Sequence, residues 1–72
     1  METRTEQYYH GRLKRYFDRN YGPYEETAEF YNNPAINKWK FIIRELGIEV
    51  VLTCRYDGRV IEKRNRIEGT VH

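Results

Sequence analysis

The chain has 72 residues, of which 39% are hydrophobic and 15% aromatic, and its formal net charge is only +2. This length accommodates one small domain, residues 1–72, and the seven tyrosines indicate a folded rather than a disordered chain. A single cysteine excludes an internal disulfide, no Cys/His cluster is spaced to hold zinc, and no apolar run approaches the ~20 residues that cross a bilayer. We therefore expect an intracellular, cytoplasmic protein without a cofactor and without membrane contact.

Charge is distributed unevenly along the chain. Residues 1–20 carry five basic and three acidic groups, residues 21–37 carry three acidic groups alone, and residues 38–72 carry eight basic and five acidic groups. The pattern predicts a polarised surface, in which an acidic middle segment separates two basic ones.

Residues 5–20 are predicted to form a helix. Apolar side chains recur at helical spacing and form one stripe: Tyr9, Leu13, Tyr16 and Phe17. Three arginines line another face of the same helix: Arg12, Arg15 and Arg19. Gly22 followed by Pro23 is a typical end signal for this helix.

Residues 24–31 fit either of two structures. Pro23 with the two glutamates that follow Tyr24 could begin a short helix, whereas Tyr24, Ala28 and Phe30 fall on one side of an extended segment. We favour a strand, because Asn32-Asn33-Pro34 is typical of a turn into the next strand.

The second half of the chain predicts half-buried strands. Apolar residues alternate with polar ones from Lys38 to Arg44 and again from Ile48 to Tyr56, with Gly47 at the turn between them. Asp57-Gly58 is typical of a two-residue hairpin loop, which would pair Cys54 with Ile61 and place Ile61 and Ile67 on the apolar face. The predicted fold is α+β, with one N-terminal helix packed on an antiparallel meander of three to four strands and Trp39 in the core.

Catalysis finds little support in the sequence. Strand alternation points Cys54, the one thiol, into the core, and His10 is the only histidine besides the last residue of the chain. The glutamates between residues 25 and 29 lack the loop spacing of a cation site. We therefore expect a binding protein rather than an enzyme, with no catalytic residue and no metal.

Nucleic acid, or a nucleoprotein, is the first predicted partner. Guanidinium groups pair with phosphates and tyrosine rings stack on unpaired bases, and the helix combines both residue types. Basic residues of the sheet extend this surface, although glutamates are interleaved with them. The candidate nucleic-acid-binding residues are Tyr8, Arg12, Arg15, Tyr16, Arg19, Lys38, Lys40 and Arg64.

A protein partner is the alternative. Tyrosine is enriched at interface hot spots, and seven tyrosines exceed what so small a core can bury. An accessory or inhibitor protein could use the tyrosine-rich, acidic first half of the chain against a basic groove. The candidate residues are Tyr21, Tyr24, Glu25, Glu26, Glu29 and Tyr31. A homodimer formed through edge strands or tyrosine surfaces is a further alternative.

Residues 32–63, NNPAINKWKFIIRELGIEVVLTCRYDGRVIEK, have a tryptophan-led hairpin and many charged positions in a very short chain. In its short length, its tryptophan-led hairpin and its charged surface, the segment resembles small proteins carried by bacterial phages and conjugative elements. No motif in it identifies a family. The resemblance implies a protein that acts by binding, for instance by blocking a host protein or nucleoprotein.

Overall fold

The computed structural model describes residues 5–22, 26–31 and 35–67. In this part of the chain one helix, α1 (Glu6–Tyr21), precedes four strands: β1 (Ala28–Phe30), β2 (Lys38–Ile43), β3 (Ile48–Cys54) and β4 (Val60–Arg66). The strands form one antiparallel sheet in the order β1-β2-β3-β4, and α1 packs on one face of it, chiefly over β3 and β4. The predicted α+β fold is thus confirmed, with four strands in the meander.

The helix forms where its sequence predicts. Thr5 caps the N-terminus, since its hydroxyl accepts a hydrogen bond of 3.2 Å from the amide of Tyr8, and Glu6 adds a favourable negative charge to the first turn. The buried stripe consists of Tyr9, Leu13, Phe17 and Tyr21. Tyr16, which was predicted to belong to this stripe, is only half-buried at its edge.

The inner face of the sheet, toward α1, supplies the rest of the core. Alternation places Phe41 and Ile43 of β2 beside Val50, Leu52 and Cys54 of β3, and all five side chains are fully buried. Trp39 is half-buried at the margin of this core rather than inside it, against the rings of Phe17 and Phe30. Gly47 occupies the predicted turn between β2 and β3 with a positive φ of 67°.

The favoured strand in residues 24–31 is confirmed only for its last part, Ala28–Phe30, where β1 pairs with β2. The predicted turn at Asn32-Asn33-Pro34 lies outside the described residues, as do Tyr24 and Glu25. No helix within the described ranges is long and apolar enough to cross a membrane.

The predicted register of the last hairpin is wrong by one residue. Cys54 pairs with Val60 and Thr53 with Ile61, and the amide of Arg55 donates to the carbonyl of Arg59 over 2.7 Å, so the turn beyond this last pair has three residues, 56–58, rather than two. The amide of Gly58 donates to the carbonyl of Arg55 over 2.8 Å, and Gly58 then takes a φ of +92°, the arrangement of a type I turn followed by a left-handed residue. Because side chains alternate, this shift turns Ile61 outward, 48% exposed, and turns Glu62 toward the helix.

The register can be tested by comparing a residue on each face. We expect Ile61→Thr to change the free energy of unfolding by no more than about 0.5 kcal/mol, because an exposed β-branched position tolerates a hydroxyl. We expect Leu52→Ala, at a fully buried position, to lower it by about 2–5 kcal/mol. Urea denaturation followed by circular dichroism measures both, and a loss at Ile61 as large as that at Leu52 would contradict the register.

Candidate functional site

The helix and the β3–β4 hairpin enclose a cleft of about 470 Å³. Helical residues at i, i+3, i+4, i+7 and i+8 form one wall, and the end of the hairpin loop with the start of β4 forms the other. Its lining residues are Arg12, Arg15, Tyr16, Arg19, Asn20, Gly58, Arg59 and Val60. Among the described residues, four guanidinium groups and no carboxylate thus line what we call the arginine cleft.

Arg12 connects the two walls. Its Nε and Nη2 atoms both donate to the carbonyl oxygen of Gly58, at 3.1 and 2.8 Å. Three of the five N–H groups of the guanidinium remain for a ligand after these two bonds. Arg12 therefore holds the hairpin loop against the helix while keeping its charge in the cleft.

Arg15 and Arg19 stand one helical turn apart on the helical wall. In the described ranges, no carboxylate pairs with either guanidinium and no hydrogen-bond acceptor receives its N–H groups. Like charges at i and i+4 destabilise a helix by a few tenths of a kcal/mol. An anion bound between them would remove this cost.

Arg59 completes the cleft from the hairpin side. Its Nε lies 3.9 Å from a carboxylate oxygen of Asp57, with both side chains largely exposed, so the pair contributes little stability. The other carboxylate oxygen of Asp57 accepts a 3.0 Å hydrogen bond from the backbone amide of Arg59 and so shapes the loop. Arg59 is thus positioned by the loop and can still meet a ligand.

A polar cluster supports the cleft from beneath the helix. The hydroxyl of Tyr16 donates to one carboxylate oxygen of Glu62 over 2.6 Å, and the hydroxyl of Tyr21 and Nε of Arg64 both donate to the other. Nε of Arg64 also lies 3.0 Å from the Tyr21 hydroxyl oxygen. Tyr16, whose ring lines the cleft, is therefore held in place by a group outside it.

The pKa shifts of this cluster follow from its hydrogen bonds and burial. Burial by itself raises the pKa of Glu62, but the three donors outweigh it and leave the pKa below its ordinary 4.5. The hydrogen bond to Glu62 and partial burial raise the pKa of Tyr16 to about 12, and burial together with the same carboxylate raises that of Tyr21 to about 12. The ionised carboxylate and the neutral tyrosines are thus the states that stabilise the folded protein.

The remaining predicted nucleic-acid-binding residues lie in three places. The hydroxyl of Tyr8 packs against Gly58, next to Arg12 at the end of the cleft. Lys38 and Lys40 belong to the sheet face opposite α1 and do not line the cleft. Arg64 lies on the helix side of β4, bound to Glu62.

Of the predicted protein-binding residues that the structure describes, Tyr21 lies apart from the others. Tyr21 is 2% exposed, in the core. Glu26 is exposed, while the carboxylate of Glu29 pairs with Nε of Arg44 at 2.6 Å. Tyr31 lies beside Lys40, whose Nζ is 5.6 Å from the ring centroid.

The thiol of Cys54 is fully buried, and this burial raises its pKa, the opposite of what a reactive thiolate needs. His10 packs edge-on against Trp39, with ring centroids 5.4 Å apart. Within the described ranges, no group of three His, Cys, Asp or Glu side chains is placed to hold a metal ion.

Comparison of this chain with protein-family models, with curated proteins and with solved structures found no match.

Sequence reasoning missed three contributors to the site: Asn20, Arg59 and Glu62. Neither Arg59 nor Glu62 was among the predicted site residues. The hydrogen bonds of Glu62 join it to residues more than forty positions away, and Arg59 follows Gly58, which Arg12 binds over a similar separation. The two-residue loop expected at Asp57-Gly58 also turned Glu62 away from the helix. Only a three-residue loop would have indicated that Glu62 lies beneath Tyr16 and Tyr21.

The role of Glu62 predicts a pH-dependent effect of Glu62→Gln. Because the folded-state pKa is depressed, the stabilisation by the carboxylate is present above pH 4.5 and is lost as pH falls through the folded-state pKa. At pH 7 we expect the variant to lose about 1.5–3 kcal/mol, typical of hydrogen bonds to a charged group. Below the folded-state pKa the difference should shrink toward zero, and urea titrations at both pH values measure it. A difference that is independent of pH would show that the charge of Glu62 does not stabilise the fold.

Gly58 is predicted to be indispensable to the cleft. A Cβ at this position would lie 2.8 Å from the Tyr8 hydroxyl and 3.2 Å from Nη2 of Arg12, and φ is +92°. We expect Gly58→Ala to destabilise the protein by about 1–3 kcal/mol from backbone strain, with an added cost for displacing these two side chains. Adding Tyr8→Phe should recover the part due to the hydroxyl and leave the strain.

Gly11→Ala is the matched control for Gly58→Ala. A Cβ at Gly11 meets nothing within 4 Å, so this change should stabilise the exposed middle of the helix by about 0.5–1 kcal/mol. Thermal melts of all these variants measure the effects. Equal melting temperatures for Gly58→Ala and the parent would show that the cleft does not require a glycine at position 58.

Proposed function

We propose that this protein is a non-enzymatic binding module that holds the phosphate backbone of a nucleic acid in the arginine cleft. The observation that carries the proposal is the convergence of Arg12, Arg15, Arg19 and Arg59 on one cleft, to which no carboxylate of the described ranges contributes. Guanidinium groups pair with phosphate oxygens in a bidentate manner, and several of them on one surface favour a ligand with repeated negative charge.

The length of the cleft fits a short stretch of nucleic-acid backbone. Arg12 and Arg19 are seven residues apart, which corresponds to about 10 Å along the helix axis at a rise of about 1.5 Å per residue. Four arginines over that distance can neutralise two to four phosphates, which predicts a slope of log K against log salt of about −1.4 to −2.8 for a single strand. Binding of this kind is independent of sequence, because phosphates carry no base identity.

The cleft is also partly preorganised. Arg12 is held by Gly58 and the ring of Tyr16 by Glu62, so ligand binding orders mainly Arg15, Arg19 and Arg59. Long side chains that are already fixed cost less entropy when a ligand arrives. This lower entropy cost favours the cleft, rather than the scattered surface lysines, as the main contact with the nucleic acid.

Fluorescence anisotropy of labelled single-stranded and duplex oligonucleotides, at several salt concentrations, tests the proposal. We expect binding at low salt that weakens with added salt, and we expect Arg15→Gln with Arg19→Gln to reduce the affinity and lower the magnitude of the slope by about 1.4. The matched control, Lys14→Gln with Arg66→Gln, removes the same net charge outside the cleft and should keep the parental slope.

Three results would overturn the proposal. The first is the absence of binding at low salt, the second is an equal loss in the cleft variant and its control, and the third comes from a competitor. Poly-glutamate serves as competitor, and competition as strong as that of the unlabelled oligonucleotide would assign the cleft to an acidic protein instead.

A further inference from the structure

The sheet face opposite α1, here the outer face, carries three rows of side chains that run across the strands. The row nearest the β3–β4 loop is Lys38–Thr53–Ile61. The next row is Tyr31–Lys40–Val51–Lys63, in which the amide of Tyr31 bonds to the carbonyl of Lys40. The third row is Glu29–Ile42–Glu49–Asn65.

Charge divides this face into two halves. Both acidic residues of these rows, Glu29 and Glu49, stand in the third row, and Glu29 pairs with Arg44. The first two rows, which we call the loop half, contain three lysines and no carboxylate. Lys40 lies 3.8 Å from Glu49 across the boundary, so Lys38 and Lys63 provide most of the uncompensated charge of the loop half.

The loop half also exposes apolar surface. Ile61 is 48% exposed and Tyr31 is 39% exposed, one toward each edge of the sheet. Strands lie about 4.8 Å apart, so the Tyr31 row spans about 14 Å from Tyr31 to Lys63. Positive charge at intervals beside exposed aromatic and aliphatic groups is the surface that unpaired bases and their phosphates recognise.

The loop half is connected to the arginine cleft through β4. Arg59, which lines the cleft, immediately precedes β4, and Ile61 and Lys63 are the first two residues of β4 on the outer face. A nucleic-acid strand that leaves the cleft at Arg59 would therefore meet Ile61 and then Lys63 as it passes over β4, the last strand of the sheet among the described residues.

We infer that the loop half is a second contact surface for single-stranded nucleic acid, where a base stacks on Tyr31 and phosphates meet Lys38 and Lys63; this inference rests on the function proposed above. An intact duplex keeps its bases within its own stack and cannot present them to Tyr31 or Ile61. The ligand class of the whole site is therefore single-stranded DNA or RNA long enough to extend from the cleft over the edge of β4.

Length dependence tests this inference. Labelled single strands of about 4 and about 16 nucleotides span the range of common single-strand site sizes. For the long strand, Lys38→Gln with Lys63→Gln should lower the magnitude of the salt slope by about 1.4, and Tyr31→Ala should weaken binding about fivefold or more. For the short strand neither change should matter, and Tyr31→Phe, which keeps the ring, should bind both lengths like the parent.

The outcomes separate the two proposals. If Arg15→Gln with Arg19→Gln weakens both lengths while the loop-half variants bind the long strand like the parent, the cleft function stands and the second surface is wrong. If the cleft variant binds like the parent, the cleft function fails and the inference that rests on it falls too. If the protein binds a duplex as tightly as the long single strand, the assignment of the ligand as single-stranded nucleic acid is wrong. Circular dichroism melts of each variant, with Lys14→Gln and Arg66→Gln as the charge control, verify that the variants are folded.

Discussion

The contact between the Glu62 carboxylate and the two tyrosines of the helix is the constraint on which the rest of the structure depends. Tyr16 and Tyr21 reach the edge of the sheet only if β4 presents Glu62 to them, and β4 does so in one register. A shift by one residue would place Ile61 or Lys63 beneath the helix and leave both hydroxyls without this acceptor. A single carboxylate thus couples the hairpin register to the position of α1, and thereby to the width of the cleft.

The elements were predictable because they depend on local pattern. Helical spacing of Tyr9, Leu13 and Phe17, strand alternation around Phe41 and Leu52, and the turn at Gly47 are all confirmed. The hairpin register was not predictable from Asp57-Gly58 alone, since the same dipeptide suits a two-residue loop and the three-residue loop that forms here. What selects the longer loop is tertiary: Arg12 binds the carbonyl of Gly58 from the helix, and Glu62 meets the tyrosines.

The candidate site was predictable to the same extent. The arginine face of the helix follows from spacing, and the structure places Arg12, Arg15 and Arg19 together along one wall of the cleft. The opposite wall could not be derived, because Arg59 approaches the helix only through the docking of the loop. Composition likewise could not assign the tyrosines: Tyr21 belongs to the core and Tyr31 to the outer face, although both lie in the same tyrosine-rich region.

The placement of charge separates a structural from a functional origin of the arginines. Where this protein uses charge for its own structure, it pairs it: Lys14 with Asp18, Arg44 with Glu29 and Arg64 with Glu62. Among the described residues, no carboxylate pairs with Arg15 or Arg19 on the helix. The same holds for Lys38 and Lys63 on the loop half of the outer face. Clustered like charges oppose folding in a domain whose total stability is small, and an anionic partner of the kind proposed above would supply the missing counter-charge.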